Sequence, residues 1–189
     1  MPRYYEFEVS LQEAQPRIWR RFLLRTTSTF RHLHAAIQDS FGWQDSHLWE
    51  FRLPTYEGTP IAGLPVPPGE DDFGRPMPDA RKVKLNSYFT GRVKVEWCEY
   101  LYDFGDDWTH DVKLVAVRSL KESFRRRLLD GDLSGPPEDC GGVAGYDRMV
   151  HYRMTGEDLL EDDPDGLGTW LGDWQPALDL ARLKAAFDR

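Results

Sequence analysis

Positive charge is what this chain is short of. Lysine and arginine number 24 against 32 aspartates and glutamates, giving a formal net charge of -8 over 189 residues. Phosphate backbones are held largely by basic side chains, so the bulk charge of this acidic protein opposes a nucleic-acid partner. A local basic patch stays open. Cysteine is nearly missing, with Cys98 and Cys140 the two present. A disulfide framework is therefore not expected, and a reducing cytoplasm is the default location. No apolar run approaches the roughly 18 residues of a membrane-spanning helix. The opening M-P-R-Y-Y-E-F-E enters a strand pattern at once and shows no apolar signal segment, which fits the cytoplasmic expectation. Internal repeats are absent, as is a linker separating two cores.

Aromatic residues are plentiful at 13%, within a hydrophobic share of 40%, so a substantial core is available. We read residues 1–189 as a single domain. Its most organised stretch is 93–117, V-K-V-E-W-C-E-Y-L-Y-D-F-G-D-D-W-T-H-D-V-K-L-V-A-V. Val93, Val95, Trp97 and Leu101 alternate with Lys94, Glu96, Cys98 and Tyr100. Further on, Trp108, Val112 and Leu114 alternate with Thr109, Asp111 and Lys113. That period of two predicts a hairpin, with D-F-G-D-D supplying the turn. The same count puts His110 on the apolar side beside Trp108.

Around this centre, Tyr5, Phe7, Val9 and Leu11 alternate with Glu6, Glu8 and Ser10 in a first strand. I-W-R-R-F-L-L returns beside it, with Ile18, Phe22 and Leu24 on one side. Arg20 shares that side, which calls for a bulge or an edge position. T-T-S-T offers N-caps for a helix over 30–41, striped by Phe30, Leu33, Ile37 and Phe41 and ended by Gly42. H-L-W-E-F-R-L reads as a third strand, with His47, Trp49, Phe51 and Leu53 on one face. Residues 54–79 are rich in proline and glycine and form a long loop. K-E-S-F-R-R-R-L-L-D reads as a helix carrying Arg125, Arg126 and Arg127, a triplet that is either a solvated face or an anion contact. A proline- and glycine-rich loop feeds a helix through Y-D-R-M-V-H-Y-R-M. E-D-L-L-E-D-D-P-D-G is an acidic break, Trp170, Leu171 and Trp174 flank a turn, and Asp179 caps a last helix.

Several of these segments carry a resemblance. P-R-I-W-R-R, L-H-A-A-I, F-G-W-Q-D-S-H-L-W-E-F, Y-L-Y-D-F-G-D-D-W-T-H-D-V, P-P-E-D-C-G-G-V-A-G-Y and W-L-G-D-W-Q-P-A-L-D-L resemble, in order, the plasmid pRiA4b ORF-3-like family. The resemblance spans nearly the whole chain. It implies a single α+β domain of bacteria and archaea, often borne on plasmids. It also implies a label as a passenger of mobile elements, sometimes with a resolvase name, but no established activity. Many relatives have two further cysteines and an arginine shortly before P-P-E-D-C. Here the matching positions are Leu128, Gly135 and Leu133, so a thiolate metal site is not carried over to Cys140.

Asp103, Asp106, Asp107, His110, Glu138 and Asp139 form the leading candidate site. Carboxylates with one imidazole suit a divalent metal ion, and a carboxylate beside His110 suits acid–base chemistry. The same residues also suit a turn closed by its own hydrogen bonds. His34, His47 and His110 form a weaker tri-histidine set for a metal. G-G-V-A-G-Y before a helix resembles an anion cradle but lacks the lysine and hydroxyl of a phosphate-binding loop.

The expected fold is α+β, a β-grasp-like roll opening β-β-α-β, with a mixed or antiparallel sheet covered by helices. The leading functional expectation is a non-enzymatic binding or accessory module, linked to mobile elements, with a protein partner and no membrane. The alternatives are a metal-dependent or acid–base enzyme using the D-F-G-D…H and P-P-E-D loops, and a DNA-recombination accessory. Net charge generates the first prediction. Random-sequence duplex DNA at physiological salt should bind no tighter than about micromolar. Fluorescence anisotropy checks this, and tighter binding would contradict the charge argument.

Overall fold

Alternating apolar residues near the start of the chain build its first hairpin. Strand β1 (Arg3–Leu11) pairs antiparallel with β2 (Trp19–Arg25), with Phe7 opposite Phe22. Tyr5, Phe7, Val9 and Leu11 join the core, while Glu6 meets Arg118 and Glu8 meets Arg17 and Arg21. The computed structural model describes residues 1–55, 58–65, 77–91, 93–160 and 164–188. Helix α1 (Phe30–Phe41) follows, and its predicted stripe of Phe30, Leu33, Ile37 and Phe41 is buried. At its start the Thr29 N–H donates to His32 Nδ1 (3.2 Å), a reach-back by which the side chain satisfies an N-terminal donor. At its end Gly42 adopts a left-handed φ of 87°, which glycine reaches without a Cβ penalty.

The chain continues through β3 (Trp49–Arg52), β4 (Pro60–Gly63), α2 (Leu85–Phe89), β5 (Trp97–Tyr102), β6 (Trp108–Ser119), β7 (Arg126–Asp132), α3 (Gly142–Thr155), α4 (Pro164–Leu171) and α5 (Leu180–Phe187). The strands form one sheet in the order β4-β3-β5-β6-β1-β2-β7, with every pairing antiparallel. The fold is thus mixed α and β, with the β-β-α-β opening in place. Aromatic rings fill the layer between sheet and helices. Phe30 of α1 lies 5.1 Å from Phe51, Phe7 lies 4.9 Å from Phe89, and Phe187 of α5 lies 5.6 Å from Phe22. Burying each such side chain contributes about 1.5–3 kcal/mol. Among the described residues no helix is long and apolar enough to cross a membrane.

Four local expectations need correction. K-E-S-F-R-R-R-L-L-D is not a helix, because residues 126–132 form β7 and pair with β2. Phe124 and Leu128 mimic a helical i, i+4 pair, but the ladder that β2 offers outweighs that weak local signal. In the central hairpin the buried side of β5 is Cys98, Tyr100 and Tyr102, not Val93, Val95 and Trp97. Trp97 is half-buried and Leu101 buried on the opposite face, so apolar residues on both faces of β5 hide which side is inner. His47 precedes β3 and is not a strand residue. The long loop at 54–79 contains β4, while its positions 56–57 and 66–76 lie outside the described residues, as does 161–163 of the acidic break.

Arg20 shows how the sheet accommodates a cation on its inner side. A bulge between Arg21 and Phe22 is present, but β2 is not an edge, being paired by both β1 and β7. The side chain is buried, and its guanidinium donates to Ser40 O (2.7 Å), Trp19 O (2.7 Å) and Asp132 O (2.9 Å) over the ring of Phe41. Burial lowers its pKa to about 10, and the group stays charged at neutral pH. Arg20→Met keeps the apolar stem but strands these carbonyls. It should cost about 3 kcal/mol in urea unfolding, since hydrogen bonds to charged groups contribute about 1.5–3 kcal/mol each. A loss below about 1 kcal/mol would show that the carbonyls find other donors.

Candidate functional site

Three loops meet at the end of β5. The first, after α1, carries Trp43, Asp45 and His47. It is shaped by Gly42 and by Gln38 Oε1, which accepts from the Asp45 N–H (2.7 Å). The second is D-F-G-D-D, where Asp103 Oδ1 accepts from the N–H groups of Gly105 (3.0 Å) and Asp106 (3.4 Å). The third is P-P-E-D-C-G, between β7 and α3. Trp43 Nε1 donates to Pro136 O (2.8 Å), joining the first loop to the third. The Gly141 N–H donates to Asp106 Oδ2 (3.0 Å), joining the second to the third. Gly142, at φ 68°, lets the backbones approach so closely that a Cβ there would stand 2.9 Å from Asp106 O.

Glu138 is the hub of the third loop. Its carboxylate accepts from the Tyr102 hydroxyl (2.8 and 3.0 Å) and the Gln44 N–H (2.7 Å). Burial, then the hydrogen bond to Glu138, raises the Tyr102 pKa well above the ordinary phenol, so it remains a donor. Beside it, His47 Nε2 lies 3.3 Å from Asp139 Oδ1, 3.5 Å from Glu138 Oε2 and 3.6 Å from Asp103 Oδ2. That nitrogen is buried and makes no hydrogen bond. Ligand atoms of His47, Asp103 and Asp139 all lie within 4.8 Å of one another. A tetrahedral ion bonded at about 2.1 Å separates its ligands by about 3.4 Å, so the spacing around His47 Nε2 fits a first coordination shell. Among the described residues no lysine or arginine pairs with these three acids, and Arg148 instead pairs with Asp158.

The sequence candidates therefore divide. Asp103, Glu138 and Asp139 converge, and Asp106 braces the third loop from its turn. Asp107 bonds the Thr109 hydroxyl (3.1 Å). His110 stands apart: fully buried, it donates from Nδ1 to Trp108 O (2.9 Å), with its ring against Phe41 and Trp43. His34 is also buried, bonded to Tyr100 Oη and Asp45 Oδ1 at 2.8 Å each and stacked on Trp49. The three histidines thus have separate partners. Cys140 borders the corner, but burial followed by the charge of Asp106 pushes its thiol up to about 12, leaving it unreactive. Tyr102, Asp45 and Gln44 were not singled out by sequence reasoning. F-G-W-Q-D-S-H and Y-L-Y-D-F-G-D contain them, and that clustering of matched motifs is the signal that marks them.

Burial lowers the pKa of His34 to about 4 despite Asp45, and that of His110 to about 4 despite its two carbonyl partners. Both rings are neutral in the fold, whereas the unfolded chain protonates them near the ordinary value of about 6.5. Their contribution is complete above that value and is lost as pH falls from about 6.5 toward about 4. Melting temperature should drop across that window, and His34→Gln should shrink the drop. An unchanged pH profile in that variant would contradict the assignment.

The geometry can now be set beside known proteins. The family described as Plasmid pRiA4b ORF-3-like protein matches residues 3–182. The uncharacterized protein y4hQ of Sinorhizobium fredii is 34% identical over 144 residues, covering 75% of this chain and 69% of that one. The crystal structure of a protein of unknown function, MM3350 from Methanosarcina mazei Go1, is similar at a TM-score of 0.78 with 30% identity, covering 97% of both chains. A match over nearly every described strand and helix, with all three site loops inside it, makes this chain a member of the plasmid pRiA4b ORF-3-like family.

Proposed function

We propose that the chain works as one binding module over residues 1–189, with the corner of His47, Asp103 and Asp139 as its site and a divalent cation as its ligand there. The carrying observation is the buried, unbonded His47 Nε2 facing carboxylates at 3.3–3.6 Å. Carboxylates without a basic partner repel one another, and a cation removes that cost. Borderline ions such as Zn²⁺ or Mn²⁺ match a mixed imidazole and carboxylate set better than Mg²⁺ does. Glu138, engaged by Tyr102 and Gln44, positions Asp139 and leaves three residues as ligands. The β-grasp-like roll belongs to this reading as the rigid support for the loops, and a cytoplasmic, mobile-element accessory role is its biological setting.

A metal-dependent enzyme is the second reading. A cleft of about 510 Å³, lined by Pro136, Pro137, Trp170 and Trp174, borders Glu138 and offers room for a substrate. Three protein ligands also leave a coordination position open, as catalytic sites do. A DNA-recombination role has no comparable support, since among the described residues no serine or tyrosine with lysine or arginine neighbours stands at the corner.

Adding Zn²⁺ or Mn²⁺ to metal-stripped protein should raise the melting temperature, because a ligand selective for the native state stabilises it. Asp139→Asn should abolish most of that rise. Asp139 is largely exposed, so the variant should fold. Equal stabilisation of variant and parent would place the ion elsewhere, and no stabilisation by either ion would leave a corner closed by hydrogen bonds alone.

A further inference from the structure

A second cleft, of about 630 Å³, opens between α1, the end of β2 and the start of β7. His32, Ala35 and Asp39 line one side from one face of α1, with Ser28 just before the helix. Arg25, Arg125 and Arg126 line the other, and Leu24 adds a carbon floor. None of these residues touches the acidic corner. Two of the three guanidiniums are held in place. Arg25 donates to Phe124 O (2.7 Å) and Ser123 Oγ, both neutral partners. Arg126 donates to Phe187 O (3.0 Å) and Ala35 O (3.3 Å) and pairs with Asp39. Arg125 makes no hydrogen bond or ion pair among the described residues, and neither does the Ser28 hydroxyl.

The charge count is asymmetric. Asp39 offsets Arg126, while Arg25 and Arg125 have no carboxylate partner. His32 adds a neutral donor, since Nδ1 accepts from the Thr29 N–H and so Nε2 carries the hydrogen. Its pKa is lowered by burial, and after that by the charges of Lys84, Arg125 and Arg31, which reports a positive field in the cleft. Two guanidiniums without carboxylate partners, Arg25 held by the Phe124 carbonyl and Arg125 free to reach a ligand, join an imidazole N–H and a free hydroxyl around a carbon floor as a donor set for an anion. The geometry points to a binding site for a small organic phosphate monoester, whose dianion meets Arg25 and Arg125 and whose organic part lies on Leu24 and Ala35. A monoester carries about two negative charges near neutral pH, which balances the pair. The cleft is larger than a lone phosphate requires and falls within the usual range of small-molecule sites.

Nuclear magnetic resonance titration of the intact chain with AMP, adenosine and inorganic phosphate at fixed ionic strength tests this. AMP should give saturable shifts at the amides of residues 27–32 and 125–126, binding more tightly than inorganic phosphate, while adenosine gives none. Arg125→Gln should weaken AMP by roughly tenfold, the loss of a charge-assisted hydrogen bond. Arg125 is exposed and unbonded, so the fold does not depend on it. Arg127→Gln is the control, because Arg127 turns to Glu122 and the Phe124 ring. The assignment is overturned if AMP does not saturate, if adenosine binds as well, if inorganic phosphate binds as tightly as AMP, or if both variants weaken AMP equally.

Discussion

The acidic corner depends on one hydroxyl. Tyr102 ends β5, accepts from the Ser46 N–H (3.1 Å) and donates to Glu138. Its ring stacks on Trp43 at 4.8 Å and meets His47 at 5.6 Å. The next residue is Asp103, which opens the second loop. A single residue, fixed by the β3 and β6 ladders on either side of it, therefore touches the first and third loops with its side chain and leads directly into the second. Phenol-to-carboxylate bonds are charge-assisted and short, so they set position as well as contribute energy. The sheet's rigidity reaches the corner through this contact. Without it, the P-P-E-D-C loop would be tied to the other two by Trp43, the Gln44 N–H and Asp106.

The parts of the fold that were legible in the sequence are those where local pattern and tertiary demand agree. The first hairpin, α1 and the side of β6 that holds Trp108 and His110 all follow from period and caps. β7 was not legible, because an edge strand with one buried leucine has too few apolar positions to declare a period. β5 reads one residue off because apolar residues occupy both of its faces, Trp97 and Leu101 on one and Cys98, Tyr100 and Tyr102 on the other, and a shift of one exchanges the two faces of a strand. The acids of the candidate site stood out by their composition. Their histidine, His47, stands out only as a weaker metal ligand in a set with His34 and His110, because it lies 56 residues before Asp103 in the chain and is brought to the acids by long-range hydrogen bonds of its loop.

Net charge also conceals how the surface is divided. An overall charge of -8 describes neither cleft. At the corner, acids gather around an imidazole with no lysine or arginine ion pair among the described residues. In the cleft beside α1, arginines gather with one carboxylate among them. These arrangements repel ligands of like sign and attract those of opposite sign, and clefts concentrate such fields beyond what their charge count suggests. Arguments from bulk charge therefore bear on long polyanions that cover much of the surface. They say little about a small ion or ester that enters one cleft.

Backbone conformation ties the acids to their positions. Asp45, Asp103, Asp107 and Asp139 all have φ between 55° and 59°. That left-handed region costs most side chains about 1 kcal/mol or more, and aspartate reduces the cost by bonding to nearby N–H groups. Asp103 does so with Gly105 and Asp106. Glycine would fit these turns with less strain, but it carries no carboxylate. Asp45 uses its carboxylate to hold His34 and Arg31, and Asp103 and Asp139 direct theirs toward His47. Aspartate is the residue that supplies both the turn and the charge, so the loops are shaped by the same groups that would hold a ligand.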